Sequence, residues 1–227
     1  MQIAIRLVLP TMLLASVAAS ADPPSSKHDF SADIVTRDAS GAEIGTSGRL
    51  YAASGKIRIE TADAAAGYFL TDGTTATALF VRPQQRVFMD ARQSTPLTRI
   101  FLPVDPSNPC ARWQTAAKAS GLASATGEWH CERTGPSSVK FAGIDPNTVE
   151  YTVTSPDHPA TRGWIATDLD FPVKWRAADG TTLTLEHVRV EAQPPDLFAM
   201  PPGYRKLDPQ ALIDRIKHSD VWAAPPQ

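Results

Sequence analysis

The chain has little of what usually announces a function. Two of its 227 residues are cysteine, aromatics make up 7%, and 22 Lys and Arg stand against 24 Asp and Glu, a net charge of −2. A near-neutral chain gives no electrostatic case for nucleic-acid binding. The five histidines, His28, His130, His158, His187 and His218, are scattered, and none pairs with another His or Cys at metal-site spacing. There is no GxSxG elbow, no HExxH, no glycine-rich phosphate loop and no SxxK. No cofactor, no metal and no enzymatic activity are therefore expected. Beyond the amino-terminal leader no run approaches eighteen apolar residues, so no transmembrane helix is expected.

The leader itself is informative. Arg6 precedes an apolar run from Leu7 to Val17, too short to span a bilayer, and Ala19-Ser20-Ala21 fits the small-x-small cleavage pattern. Residues 1–21 read as a secretory signal peptide, with the mature chain starting at Asp22. No cysteine lies near that site to carry a lipid anchor. In an oxidising compartment, Cys110 and Cys131 read as a disulfide. It would close a loop of about 20 residues and stabilise by roughly 3 kcal/mol.

Proline is plentiful, at 20 residues, and sits mostly between apolar runs, as turns between strands require. Phe30–Thr36, Gly48–Ala52, Lys56–Glu60, Tyr68–Leu70, Thr75–Val81 and Arg86–Asp90 read as short strands. Asp72-Gly73 and Asp179-Gly180 are hairpin signals, so nearest neighbours should pair antiparallel. Ser107-Asn108-Pro109 opens a helix over Trp113, Ala116, Ala117 and Ala119, with Gly121 as its C-cap. This helical insert, near 107–131, carries the cysteine pair. Strands resume at Val139–Phe141, Val149–Val153, Trp164–Ala166 and Phe171–Arg176. A phase change near Glu186-His187, between Leu183/Leu185 and Val188/Val190, marks a β-bulge. Asp208-Pro209 starts a terminal helix with Leu212, Ile213 and Ile216 on one face, ahead of a frayed tail. About ten strands and few helices leave a sandwich, a barrel, or a strongly curved sheet with a helix against its open side.

Several pieces occur in a telling order: Ser40–Glu43, Gly48–Tyr51, Lys56–Glu60, Leu70–Gly73, Leu79–Val81, the cysteine pair, Trp164-Ile165, Pro172-Val173, Gln193-Pro194, Leu197-Phe198 and Pro202-Gly203-Tyr204. In this order they resemble the LolA/LolB-type periplasmic lipoprotein carriers, and more closely the soluble LolA-like proteins of unassigned function of the DUF4412 type. The resemblance covers about residues 28–207. It implies a mainly β fold with short helices: a curved antiparallel sheet forming an open half-barrel, with helices over its mouth and an apolar cavity inside. It also implies a periplasmic location and a hydrophobic or acyl-chain ligand. Inward-facing candidates are Leu50, Ile57, Ile59, Phe69, Leu79, Val81, Phe88, Trp164 and Trp175; the same alternation would equally fill a solid core. One departure bears on cargo. The lipoprotein carriers have Arg-Pro after the strand matching Gly48–Ala52, and here the matching positions are Ser54-Gly55, with Lys56 and Arg58 expected to face solvent. That departure weighs against lipoprotein as the cargo more than against a lipid or other hydrophobic ligand, and a lipoprotein or lipid carrier stays among the expectations.

Three functions follow from these readings. The first is a soluble, monomeric binding protein that shelters an apolar ligand, with access through the covering helix or the small-residue loop Thr61–Gly67. The second is an envelope scaffold that docks a protein partner on an edge strand or on the Leu212–Ile216 helix. The third is a hydrolase using Asp168 and Asp170, or a sugar platform built from Trp113, Trp129, Trp164, Trp175 and Trp222.

Overall fold

Alternation builds the first half of the sheet. Ile57 and Ile59 are buried, whereas Lys56 between hairpin and strand is exposed, so one face of this strand is core. The computed structural model describes residues 28–62, 66–73, 77–91, 95–119, 127–137, 147–155 and 158–208. Its strands are β1 (Phe30–Arg37), β2 (Glu43–Ala53), β3 (Lys56–Thr61), β4 (Tyr68–Asp72), β5 (Thr77–Arg82), β6 (Val87–Asp90), β7 (His130–Ser137), β8 (Thr148–Ser155), β9 (His158–Ala166), β10 (Phe171–Arg176), β11 (Thr182–Val190) and β12 (Arg205–Lys206). Among the described residues the α-helices are α1 (Leu97–Ile100) and α2 (Pro109–Ala119). The leader, Val139–Phe141, Gly121, Trp222 and the Leu212–Ile216 segment lie outside the described residues.

The strands form one large, curved, open sheet in the order β12-β6-β5-β4-β3-β2-β1-β11-β10-β9-β8-β7. Every pairing is antiparallel except the short β12–β6 contact. This is the mainly β half-barrel with short helices. Its topology places the helices. β6 lies beside one edge and β7 at the other, so the segment joining them must cross the whole sheet, and α1 and α2 lie on that crossing.

Turn chemistry fixes the register. Ser54 and Gly55 both have positive φ, 48° and 79°, and join Ala53 to Lys56 in a two-residue hairpin. Such a turn matches the twist of the flanking strands. Proline, locked near φ −65°, cannot occupy Gly55, so an Arg-Pro pair is incompatible with this turn. His187 also has positive φ, 51°, and β11 shifts register against β1 opposite Ser31 and Asp33, which is the bulge expected near Glu186-His187. His187 Nδ1 lies 3.0 Å from the Asp33 carboxylate across this bulge.

Carboxylates tie down three further turns. Asp38 accepts from the Ser40 hydroxyl and from the Ser40 and Ala42 amides. Asp105 accepts from the Ser107 hydroxyl and amide just before α2, and Asp179 accepts from the Thr181 amide. The Ser40 hydroxyl holds the Asp38 pKa below its ordinary value, the Ser107 hydroxyl does so for Asp105, and the Thr181 amide does so for Asp179. A carboxyl whose folded pKa is depressed adds stability above its unfolded pKa, about 3.9, and that contribution is lost as pH falls through the lower folded value. Unfolding midpoints should therefore drop on acidification below about pH 4. An Asp38→Asn, Asp105→Asn, Asp179→Asn triple variant should show a shallower drop in the same thermal series.

The core has three parts. The largest joins Phe30, Ile34, Leu50, Ile57, Ile59 and Phe69 to Ile100, Phe101, Phe171 and Leu185, with Phe30 and Phe171 edge to face at 5.1 Å. A second packs Val104, Cys110 and Trp113 on Val149, Tyr151, Val153 and Ile165. A third, Tyr68, Leu70 and Val81, lies on the far face of β4 and β5, against Phe88, Met200 and Tyr204. The segment 195–207 covers that face. It also corrects one expectation: Arg58 does not simply face solvent. Its guanidinium lies 3.6 Å from the Tyr68 ring centroid and donates to the Leu197 carbonyl.

Candidate functional site

The disulfide anchors the crossing segment. Cys110, at the start of α2, is bonded to Cys131 on edge strand β7, with Cα atoms 5.6 Å apart. Tyr151 donates to the Pro106 carbonyl, fixing the approach to α2. α2 then turns Trp113 and Ala117 towards β8 and β9, and Arg112 the other way, where it donates to the Gly73 carbonyl. Trp113 is 2% exposed. Its indole N–H donates to the Ile100 carbonyl at 3.2 Å, which couples α2 to α1, and its ring meets Trp175 edge to face at 5.1 Å. Gly163 on β9 makes room for both rings: a Cβ there would lie 2.9 Å from Trp113 and 3.3 Å from Trp175.

Beside this aromatic pair is an open cavity of about 320 Å³. Ile100, Trp113, Ala117 and Val153 are its buried floor, and Pro96, Arg99, Trp129, Ser155, Pro159, Thr161 and Trp175 are its rim. Small-molecule sites run from roughly 300 to 1,000 Å³ and are mostly apolar with a few placed polar groups. This cavity matches that description at the small end. Among the described residues, Arg99 is its only charged lining. The Arg99 guanidinium is half-buried and donates to the Thr95 carbonyl at 3.0 Å, and burial pushes its pKa below the ordinary arginine value. A much smaller void of about 20 Å³, bordered by Thr71, Thr98, Arg99 and Arg112, lies on the other side of Arg99. It has the size of one water molecule.

The nine inward-facing candidates do not converge. Trp175 lines the cavity. Leu50, Ile57, Ile59, Phe69 and Trp164 are packed in the main core, Trp164 with the Lys174 ammonium 4.8 Å from its ring centroid. Val81 and Phe88 belong to the far-face cluster under Met200 and Tyr204. Leu79 and Ile57 border a surface groove of about 160 Å³ beneath Phe198 and Met200. Trp113, Trp129, Ala117 and Arg99, which do line the cavity, were not among the nine. In the sequence Trp113, Trp129 and Trp175 stand out as members of the tryptophan platform, Ala117 reads only as part of the helix, and nothing marks Arg99.

The other candidates are placed as follows. Asp168 is exposed in the turn before β10, where it accepts from the Asn147 amide at 3.2 Å; Asp170 follows at φ 50°. Of the Thr61–Gly67 loop, residues 63–65 lie outside the described residues, and Thr61 Oγ1 donates to the Gly67 carbonyl at its base. Among the described residues no cluster of three or more His, Cys, Asp or Glu could hold a metal, and no helix is long and apolar enough to cross a membrane.

No protein-family model matches the chain, and no curated protein matches it in sequence. Solved structures with a similar chain path include an uncharacterised conserved protein from Thermus thermophilus, at 10% identity and TM-score 0.42, over 79% of this chain and 90% of that one. MucB is another, at 15% identity and TM-score 0.43, over 78% of this chain and 59% of MucB. A LolA superfamily protein from Nitrosomonas europaea is similar at 14% identity and TM-score 0.33, over 78% of this chain and 91% of that one. Likeness at these scores does not establish common function.

Proposed function

We propose that this chain is a non-catalytic, periplasmic binding protein that shelters an apolar ligand between the crossing helices and the sheet, in the manner of the soluble DUF4412-type LolA-like proteins its sequence resembles. The observation that carries the proposal is the tryptophan cavity. Three indole rings, Ile100 and Val153 surround about 320 Å³ that the side chains leave open. The disulfide supports the location, because such bonds persist in oxidising compartments.

The cavity sets the scale of the ligand. Burying a decyl chain gains about 8 kcal/mol at ~0.8 kcal/mol per methylene. Association costs at least ~4 kcal/mol. The balance of about 4 kcal/mol corresponds to a dissociation constant near 1 mM before any ring or polar contact is added. Intrinsic tryptophan fluorescence reports on this directly, since Trp113, Trp129 and Trp175 all line the site. Titration with decanol should give a saturable, one-to-one change with a submillimolar midpoint. A linear, non-saturating response would remove the carrier reading and favour the scaffold that docks a protein partner.

A further inference from the structure

One edge of the sheet collects positive charge. Arg82 closes β5, Arg86 stands in the turn before β6, and Arg205 and Lys206 make up β12. All four are exposed, and among the described residues none is paired with an acid. The register brings them together. Val87 pairs with Arg82 on one side and with Arg205 on the other, so both arginines flank it on one face. Two strand spacings put them about 10 Å apart, one Debye length at about 0.1 M salt. Lys206 pairs with Phe88 and so projects to the opposite face. Arg86 has φ 52°, and its Nη2 lies 3.5 Å from where a Gly203 Cβ would stand, beside β12. The acids stay at the far end. Asp90 closes β6, about 10 Å beyond Val87, and Asp208 follows Leu207, whose amide donates to the Phe88 carbonyl. Grouping four cations this closely costs self-repulsion, in a chain whose net charge is −2.

We infer that this edge is a docking surface for an anionic lipid bilayer, with Arg82, Arg86, Arg205 and Lys206 set among the phospholipid headgroups. The inference stands apart from the tryptophan cavity and from the carrier reading. Shape selects a lipid surface over an acidic protein. The cations project from a hairpin tip and an edge strand, towards both faces of the sheet, and none of them borders the cavities described above. Protein interfaces concentrate their binding in aromatic or arginine anchors seated in packed pockets. A projecting ring of cations instead suits headgroups that diffuse around it. Each Lys or Arg near an anionic surface raises affinity roughly five-fold. The four together give about 600-fold by the same arithmetic, which makes a reversible attachment and not an anchored one.

The test is co-sedimentation of the processed chain, starting at Asp22, with two kinds of vesicle. One is phosphatidylcholine alone, the other phosphatidylcholine mixed equally with phosphatidylglycerol. Wild type should bind the mixed vesicles and not the neutral ones. Binding should fall away between about 0.1 M and 1 M salt, as the Debye length shrinks from about 10 Å to about 3 Å. The Arg82→Gln, Arg205→Gln variant should bind about twenty-fold more weakly, with its urea midpoint retained or raised because repulsion is relieved. The Arg86→Gln, Lys206→Gln variant should behave alike, and it serves if the first fails to fold. A control, Arg133→Gln with Arg189→Gln, removes the same charge from exposed sites on β7 and β11 and should bind like wild type. Equal binding of wild type to both vesicles, or an equal loss in the control, would overturn the inference. Binding of a glutamate-rich peptide without binding of either vesicle would overturn it too, and would assign the edge to an acidic protein. Binding of neither vesicle nor peptide would leave the edge with no anionic partner and overturn it as well. None of these outcomes bears on decanol in the cavity, so the carrier reading is tested separately.

Discussion

Replacing Trp113 by alanine is expected to remove about 3–5 kcal/mol of stability, the usual cost of truncating a buried tryptophan. Several losses coincide at this residue. The indole is 2% exposed and packs with Val104, Cys110, Val149, Tyr151, Val153 and Ile165. Its edge-to-face contact with Trp175 disappears. The Ile100 carbonyl loses its indole donor but keeps the Leu102 amide, so this term is that of one ordinary hydrogen bond, about 0.5–1.5 kcal/mol. Gly163, whose hydrogen faces both rings, offers no side chain to fill the void. Domains of this kind hold about 5–15 kcal/mol in total, so the variant should sit near its unfolding midpoint in mild urea. Trp113→Phe separates the terms: it keeps most of the packing and loses the N–H, so it should cost clearly less. A Trp113→Ala loss below about 1 kcal/mol in urea titrations, well under the usual buried-tryptophan range, would mean that the α1–α2 coupling described here does not hold the helices on the sheet.

Removing the disulfide should cost about 3 kcal/mol. The bond spans a sequence separation of 21, and the chain-entropy model assigns about that value to a loop of this size. The geometry adds a local reason. Among the described residues β7 is the outermost strand and pairs only with β8. Cys131 ties it to the first turn of α2, and Cys110 is itself buried against Trp113. The Cys110→Ser, Cys131→Ser double variant should therefore unfold at lower denaturant. Wild type should move to nearly the same midpoint when reduced, and the variant should not respond to reductant. Coincident midpoints for oxidised wild type and the double variant would show that the bond is stabilising nothing.

The strands with one clean apolar face were legible from the start. Lys56–Glu60, Val149–Val153 and the His187 bulge all stand where alternation and its phase change put them. Three features were not legible, each for a physical reason. β7 reads His-Cys-Glu-Arg-Thr-Gly-Pro-Ser, with no apolar alternation, because an edge strand is defined by its single ladder to β8 and not by burial. α1 is four residues long, shorter than any helical period can reveal. β4 and β5 have both faces covered, by the core on one side and by Met200 and Tyr204 on the other. Alternation there says which residues share a face and not which face is inner, so Leu79, Val81 and Phe88 looked equivalent to Phe69. The cavity itself is assembled from separate stretches, with Ile100, Trp113 and Ala117 from the crossing segment, Trp129 ahead of β7, Val153 and Thr161 from β8 and β9, and Trp175 from β10. Only the crossing from one sheet edge to the other brings them together, and no local pattern encodes that crossing.

The central claim is that the space beside Trp113 and Trp175 is where a ligand sits, and filling it tests this most directly. Ala117 is on the floor, 5% exposed, one helical turn beyond Trp113. Ala117→Phe would place a ring into the open volume with little need to displace packed neighbours. The measurement is decanol affinity of this variant against wild type, alongside the urea midpoint of each. At least a ten-fold loss of affinity with a retained midpoint is expected. Unchanged affinity in a folded Ala117→Phe protein would contradict the account and place the ligand elsewhere on the molecule.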